Sequence, residues 1–319
     1  MCYSAMVVQD LKTLVRQWFA LIDVSDPEHV FRRRLQDDSI KISKAFEANF
    51  SDPQTPAEQR IKEAIDEYHE RLTKTWESAL FTQRKRLADA ERALVLKETK
   101  KALEDKRIST NKVAWYLGKL ADLNRTSLEP DDSRIFPFWY APVVIAENGK
   151  YVVKLMRYHL RPSGKPAWYD KRYDGLYNAR RDNLEGFWKN QFGRRHGFFV
   201  ATSFYENVAL NDFEKRELRP GEKPQNLILH FNPQPTTPMM LACLWDHWTA
   251  PGQPDFYSFA AITDDPPPEV AATGHNRCVI PLKASNLEAW MNPEGRAKAE
   301  LYQVLDDRER PFYEHRLAA

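Results

Sequence analysis

The chain has 319 residues, 42% of them hydrophobic and 29% charged, so it is long enough to bury a sizeable core. Its mean hydropathy of −0.64 and the lack of any run of roughly 20 apolar residues exclude a segment that crosses a bilayer. A formal net charge of +2 neither supports nor excludes a nucleic-acid partner, which would need a local basic groove.

The first residues contain no charged segment followed by a long apolar one, so we expect a cytosolic protein, or a nuclear one if the source is eukaryotic. The three cysteines, Cys2, Cys243 and Cys278, form no C-x-x-C pair. An odd number at such wide spacing argues against a disulfide framework or a zinc site. We expect neither a metal nor another cofactor.

Residues from about 10 to about 127 are predicted to be helical. Ser51, Asp52, Pro53 and Pro56 predict the start of a long amphipathic helix that can fold back as a hairpin, and the segment 109–111 is a plausible cap for another helix. Apolar residues recur there at helical or heptad spacing: Leu11, Leu14, Val15, Trp18, Phe19 and Ile22; Ile61, Ile65, Tyr68, Leu72 and Trp76; Leu80, Leu87 and Leu94; Val113, Tyr116, Leu117 and Leu120.

From about residue 134 to about 282 the pattern changes to short strands and turns. Asn148-Gly149 between two apolar runs predicts a β-hairpin. Further strands are predicted at 197–205, 227–231, 239–245 and 256–262, and helices at 285–291 and 297–305. Strands separated by Pro and Asn turns are typical of a closed or sandwiched antiparallel sheet.

Cys2 stands directly after the initiator Met1, where methionine removal would leave one residue with both a free amine and a thiol. Near neutral pH each group has some nucleophilic form, since the usual pKa values are about 8 and about 8.5. An aldehyde can react with the amine as a Schiff base and then with the thiol to close a thiazolidine. On position alone, a chance cysteine in the start region is the simpler interpretation.

Several ordered segments behind Cys2 change that balance. They are WYAP at 139–142, MRYHL at 156–160, LYNAR at 176–180, FFVATSFYE at 198–206 and GHNRCVI at 274–280. In this order the chain resembles the SRAP family, the SOS response-associated peptidases, which begin Met-Cys and carry Asn-Ala-Arg, Gly-Phe-Tyr-Glu-Trp and His-Asp-Arg-Met-Pro segments. Each short piece is weak, but the ordered set is specific.

The resemblance implies an α+β fold with an antiparallel β-barrel or sandwich core and flanking helices. It covers residues 1–9 and 128–319, which would form the catalytic domain, and leaves 10–127 as a helical insertion. The sequence also departs from the family pattern: Tyr3-Ser4 replaces Gly-Arg near the proposed DNA surface, and Asn207 replaces a usual Trp.

Four residues receive chemical roles by this resemblance. Cys2 would be the nucleophile, and Asn178 would hold the N-terminal residue and the developing oxygen by hydrogen bonds. Glu206 would be the general acid and base, which requires burial to raise its pKa toward neutrality. His275 would move protons at the sugar oxygen. Alternatively, Glu206 is a solvated edge residue, Asn178 a turn residue and His275 a loop histidine.

Five basic residues are candidates for contacts with DNA. Arg180 and Arg277 match phosphates because a guanidinium binds them bidentately, and Arg157 lies in a family-like strand. Lys171 and Arg172 belong to a basic stretch interleaved with aromatic residues, which suits a groove for single-stranded DNA. A solvated charged rim, or for Arg180 a simple pair with Asp182, would look similar. The interleaved aromatic residues are Trp168, Tyr169, Tyr173 and Phe187.

The implied function is an abasic-site sensor in single-stranded DNA that forms a covalent protein–DNA crosslink through Cys2, with lyase and peptidase activity as open additions. A thiol peptidase that processes its own N-terminus is the second hypothesis. The third is a non-catalytic DNA- or partner-binding module, whose helical region recruits another protein or a second copy.

Overall fold

The computed structural model describes residues 2–18 and 20–318, with Cys2 only through its backbone; Met1, Phe19 and Ala319 lie outside this part of the chain. Its strands are β1 (Cys2–Val7), β2 (Leu21–Ile22), β3 (Lys41–Ile42), β4 (Arg134–Ile135), β5 (Trp139–Glu147), β6 (Lys150–Tyr158), β7 (Asn178–Arg180), β8 (His196–Ala209), β9 (Asn226–Gln234), β10 (Met239–Ala250), β11 (Gln253–Asp264), β12 (Cys278–Val279) and β13 (Phe312–Leu317). Its helices are α1 (Leu11–Trp18), α2 (Ser25–Arg34), α3 (Lys44–Glu47), α4 (Pro56–Leu96), α5 (Lys100–Asn124), α6 (Tyr169–Arg172), α7 (Leu210–Phe213), α8 (Pro268–Ala271), α9 (Leu287–Met291) and α10 (Lys298–Asp306).

Five long strands close into a barrel. They follow the order β8, β10, β11, β6 and β5, and a pairing of β5 with β8 completes the ring. The predicted α+β fold with a β-barrel core is therefore confirmed. The sheet is not wholly antiparallel: β6 runs parallel to β11, and the short strands β2, β3 and β7 run parallel to their neighbours.

Both faces of the barrel strands are covered, because the side chains alternate between two apolar clusters. Val143, Phe199 and Phe259 belong to one cluster, together with residues of β1, β9 and β13. Val144 and Phe198 face the other cluster, which includes the helices on the outer side. This double burial explains why the strands read as nearly continuous apolar runs in the sequence.

The predicted hairpin at Asn148-Gly149 is confirmed. Glu147 at the end of β5 pairs with Lys150 at the start of β6. Asn148 and Gly149 have φ values of 51° and 72°. A two-residue turn with both φ values positive suits the right-handed twist of the strands that it joins.

The segment between β1 and α4 packs directly against the barrel. Leu11, Phe31 and Phe46 share one apolar cluster with the barrel strands and with Trp290 of α9. Ile22, predicted to lie in a helix, instead belongs to β2, which adds a short parallel strand beside β6. The helical prediction was wrong there because tertiary pairing with a sheet edge overrides a local period. Whether residues 10–127 form an insertion stays a prediction.

Helices α4 and α5 form a long hairpin, which we call the arm. The start signal was correct: Pro56 opens α4, and the Thr55 hydroxyl accepts a hydrogen bond from the Glu58 amide at 3.2 Å. The predicted cap at 109–111 was wrong. Thr99 caps α5 instead, and the buried Ser109 hydroxyl donates to the Asp105 carbonyl within the helix, an alternative always open to serine.

No helix in the described part of the chain is both long and apolar enough to cross a bilayer.

A pair of Phe-to-Ala variants tests whether the segment before the arm belongs to the barrel core. Phe46 is fully buried against Phe31 and Phe50, so Phe46→Ala should lower the free energy of unfolding by about 3–5 kcal/mol. Phe81 on the arm is 72% exposed, so Phe81→Ala should change the free energy of unfolding by less than about 0.5 kcal/mol. Urea unfolding measures both. Equal small effects would contradict a shared core.

Candidate active site at the start of strand β1

Strand β1 brings the start of the chain beside the middle of β8. Cys2 lies opposite Glu206 in the antiparallel register, and Ala5 lies opposite Phe204. A bulge between Cys2 and Ser4 shifts the register by one residue, so that Ser4 faces Tyr205. Directly opposed residues have Cα atoms about 5 Å apart, so the backbone of Cys2 adjoins that of Glu206.

The Glu206 carboxyl is fully buried. Burial raises its pKa from 4.5 to about 7, against smaller opposing effects that include the Tyr3 backbone amide and the Arg277 charge. A carboxyl group with such a pKa holds a proton for transfer near neutral pH. The requirement set for Glu206 from the sequence, a pKa raised toward neutrality by burial, is therefore met.

His275 contacts Glu206 from a tight loop. Its Nε2 lies 3.3 Å from Glu206 Oε2, and its Nδ1 lies 2.8 Å from the Arg277 carbonyl oxygen. The preceding Gly274 has φ 88°, and a Cβ there would come within 2.8 Å of the Asp212 backbone, so only glycine fits this turn. The loop thus fixes the imidazole beside the carboxyl group.

The contacts of His275 define which atom carries the proton. A carbonyl oxygen only accepts, so Nδ1 is the protonated nitrogen and Nε2 is left as an acceptor. Burial lowers the pKa of His275 to about 4, which keeps the ring neutral at pH 7. Protonated Glu206 can therefore donate to Nε2, and the two side chains form a proton-sharing pair.

Asn178 enters from a different strand. It lies in β7, opposite Ala261 of β11, and is only 5% exposed. Neither the nitrogen nor the oxygen of its side-chain amide has a hydrogen-bond partner among the described residues. A buried amide with uncommitted donor and acceptor groups is available to a ligand.

Two of the predicted arginines lie beside this pair. Burial lowers the pKa of Arg277, and the charges of Arg180 and Glu206 also act on this pKa. The three side chains are therefore neighbours. Arg277 is partly buried, and its Nε has no hydrogen-bond partner in the described structure. Arg180 is exposed but forms an ion pair with Asp182 at 2.7 Å, the alternative that the sequence left open.

Arg157 does not fit the predicted contact with DNA. Its guanidinium is largely buried and lies 2.9 Å from a carboxylate oxygen of Asp170. It also covers the ring of Phe256 at 4.3 Å. Together with Arg161, it neutralises the buried carboxylate of Asp170, so we assign Arg157 to the scaffold.

Lys171 and Arg172 are exposed, as a DNA contact requires. Arg172 lies 6.0 Å from the ring of Trp168 and 5.7 Å from that of Tyr173, and both rings are themselves exposed. Asp170, which lies between Trp168 and Tyr173 in the sequence, forms ion pairs with Arg157 and Arg161. These ion pairs hold the short helix α6 in place, so that its cations and the neighbouring aromatic rings face solvent in a fixed arrangement.

The other two thiols are poor nucleophiles because they are buried. Cys243 and Cys278 are buried, and burial raises the pKa of each well above its ordinary value. The described residues contain no group of three or more His, Cys, Asp or Glu side chains that could hold a metal ion.

Sequence reasoning missed Arg134. This residue stands 130 positions after Ser4, yet its Nε donates to the Ser4 hydroxyl at 3.0 Å. Only the pairing of β4 with β1 brings them together, so no local motif marks the contact.

The buried carboxyl group predicts an unusual dependence of stability on pH. Between pH 4.5 and about 7 the folded chain binds more protons at Glu206 than the unfolded chain, so its contribution to stability falls as the pH rises through that window. Relative to wild type, Glu206→Gln should gain up to about 3 kcal/mol between pH 4.5 and pH 8. Unfolding at each pH measures this. Glu217→Gln, at an exposed position, is the control, and a flat difference for Glu206→Gln would contradict the burial argument.

Comparison with known proteins gives a family. The sequence model of the SOS response associated peptidase (SRAP) family matches residues 62–317. No curated protein matches. Three solved structures are similar at low identity, with TM-scores of 0.46, 0.44 and 0.43. The first, from Bacteroides thetaiotaomicron, is 16% identical, and the alignment covers 58% of this chain and 77% of that one.

The other two structures come from Bordetella bronchiseptica. One is 15% identical over 59% of this chain and 87% of its own. The other, a phage-related protein, is 17% identical over 58% and 80%. Since the family match covers well over half of the sequence, this chain belongs to the SRAP family, whose members are associated with the response to DNA damage.

Proposed function

We propose that this chain captures the ring-opened aldehyde of an abasic site in single-stranded DNA as a thiazolidine on Cys2. The observation that carries the proposal is the register of β1 on β8, which sets Cys2 opposite a buried carboxyl group of raised pKa. Family membership supports a role in DNA damage in general. The covalent chemistry at Cys2 is our inference from the geometry.

The reaction balances without an oxidant or a metal. Once Met1 has been removed, the amine of Cys2 attacks the aldehyde carbon, and the carbonyl oxygen becomes a hydroxyl group. That hydroxyl leaves as water and an iminium forms. The sulfur then adds to the same carbon while the thiol proton is lost, which closes a five-membered ring. One water is released for each crosslink.

Glu206 supplies the proton for the departing hydroxyl group. Its pKa of about 7 keeps a large fraction of the carboxyl protonated at neutral pH. The neutral imidazole of His275, 3.3 Å away, accepts a proton at Nε2 and returns it, so the pair can act in both directions. The unoccupied amide of Asn178 would bind the oxygen of the substrate or the N-terminal residue.

Cations and aromatic rings provide the surface for the strand. The exposed Lys171 and Arg172 and the partly buried Arg277 would meet phosphates, while Trp168 and Tyr173 would stack with unpaired bases. The product is a stable ring, so we expect one turnover for each molecule and protection of the lesion from cleavage. Lyase chemistry would require the iminium to lose the 3′ phosphate before the thiol adds.

A thiol peptidase is the second candidate, favoured by the family's own description. In thiol peptidases an imidazole activates the sulfur. Here Nε2 of His275 contacts Glu206, and Nδ1 contacts the Arg277 carbonyl oxygen. Both ring nitrogens thus have protein partners, and the proton transfer proposed above already uses Nε2, so we rank this alternative second.

The arm carries exposed apolar side chains that the proposed chemistry does not use. Phe81, Val95, Leu96 and Trp115 are each more than half exposed. We infer that the arm contacts a protein partner or a second copy of the chain through these side chains, which the packing of the chain itself leaves exposed.

Removing the thiol tests the covalent step. An oligonucleotide with one abasic site should form an adduct that survives denaturing electrophoresis with the wild type and none with Cys2→Ala, because the ring needs the sulfur. Cys243→Ala is the control and should crosslink normally, since that thiol is buried. An adduct of undiminished yield and stability with Cys2→Ala, or none with wild type lacking Met1, would overturn the proposal.

The rate of crosslinking should depend on pH in a bell shape. It should rise as the amine and thiol lose protons, and fall above about pH 8 as Glu206 loses its own proton. Glu206→Gln should react about 10²- to 10⁴-fold more slowly and should lose the alkaline decline. Quenched-flow or gel time courses at saturating DNA measure this. A decline that persists in the variant would assign it to another group.

A further inference from the structure

A polar cavity of about 220 Å³ lies beside the candidate active site, and the reaction proposed at Cys2 does not use it. Its wall includes Arg134 of β4, Tyr205 of β8, His230 of β9 and Arg316 of β13. Four separate strands thus contribute polar side chains to one concave surface. Asp131 lies at its edge.

Arg134 is fixed at this cavity without a carboxylate partner. Its Nε donates to the Ser4 hydroxyl at 3.0 Å, and its guanidinium covers the Tyr205 ring at 3.5 Å. No ion pair joins Arg134 or Arg316 to a carboxylate within the described residues. Other arginines of the chain, such as Arg161 and Arg125, do have such partners. Two cations are therefore left available at one place.

The imidazole of His230 orders the opposite wall. It stacks flat on Tyr205, with the ring centroids 4.2 Å apart and an angle of 4° between the planes. Its Nε2 lies 2.7 Å from the Ser203 hydroxyl, and Nδ1 accepts from Arg316 Nε at 3.4 Å. Burial lowers the pKa of His230 to about 4, helped by the charges of Arg316 and Arg134. The ring is neutral, so it orients Arg316 without adding charge.

We propose that this cavity binds a phosphate group between the guanidinium groups of Arg134 and Arg316. Two cations face one carboxylate, Asp131, so the cavity attracts anions. A guanidinium presents a planar fork of donors that matches the oxygens of a phosphate, and ordering by Ser4 and His230 fixes that fork in advance. The volume suits one phosphate with its ester substituents.

The position relative to Cys2 identifies the source of the phosphate, and this step rests on the proposed function. Ser4, which holds Arg134, is two residues along β1 from Cys2, roughly 7 Å in an extended strand. Tyr205 and Glu206 are consecutive residues of β8 and point to opposite faces. A DNA strand bonded at Cys2 can pass over the end of β1, and a flanking phosphodiester then reaches the cavity.

Double substitution tests the site. The chain with Arg134→Gln and Arg316→Gln should bind an abasic single strand roughly ten-fold more weakly at low salt. The slope of log affinity against log salt should become shallower by roughly 0.7 to 1, as expected for one lost phosphate contact. At saturating DNA the final crosslink yield should stay unchanged, because no reacting group has been removed. A loss of crosslinking in both wild type and variant would instead reject the function at Cys2.

The matched control removes the same charge elsewhere. Arg92→Gln with Arg107→Gln lies on the arm, where each arginine is exposed and already paired with a neighbouring carboxylate. This control should keep the wild-type affinity and salt slope. If Arg134→Gln does not fold, Arg316→Gln alone serves as the test variant, because Arg316 is exposed. It should give part of the loss in affinity and part of the change in salt slope.

Inorganic phosphate distinguishes the two sources of the ligand. In histidine-labelled wild type it should shift the NMR signal of His230 and compete with DNA, and neither effect should occur in the double variant. A shift of the His230 signal with unchanged DNA affinity in the double variant would assign the site to free phosphate and overturn the strand assignment. No shift and no change in affinity would overturn the phosphate site itself.

Discussion

The pairing of β1 with β8 brings the start of the chain into the candidate active site. It joins the first residues of the chain to a buried strand of the barrel, opposite Glu206. Without that register, the Cys2 backbone would not adjoin the buried pair of Glu206 and His275. The bulge between Cys2 and Ser4 adds a second consequence, because it turns Ser4 toward Tyr205 and Arg134.

Burial gives the site its chemistry. It moves the pKa of Glu206 up to about 7 and that of His275 down to about 4, so a protonated acid faces a neutral base at pH 7. The two shifts have one cause, desolvation, and opposite signs because one group is charged when it loses a proton and the other when it gains one. A solvated carboxyl group would be ionised at pH 7 and would have no proton to give.

Much of the barrel was predictable from local pattern. The Asn148-Gly149 hairpin and the four long strands after residue 196 each carry a turn signal or a β-rich apolar run. The ordered motifs also selected Asn178, Glu206 and His275 as candidate site residues, and the structure brings Glu206 and His275 into contact. Strands of two residues, such as β2, could not be predicted, because they exist only by pairing with a neighbouring edge. The same holds for the role of Arg157 as a buried partner of Asp170 and for the approach of Arg134 to Ser4.

The most direct test of the central claim is the intact mass of the protein before and after incubation with an abasic single strand. We expect a free chain that lacks Met1, and a denatured adduct whose mass equals protein plus oligonucleotide minus one water. A chain that keeps Met1, or an adduct that has lost no water, would contradict ring closure on the amine and thiol of Cys2.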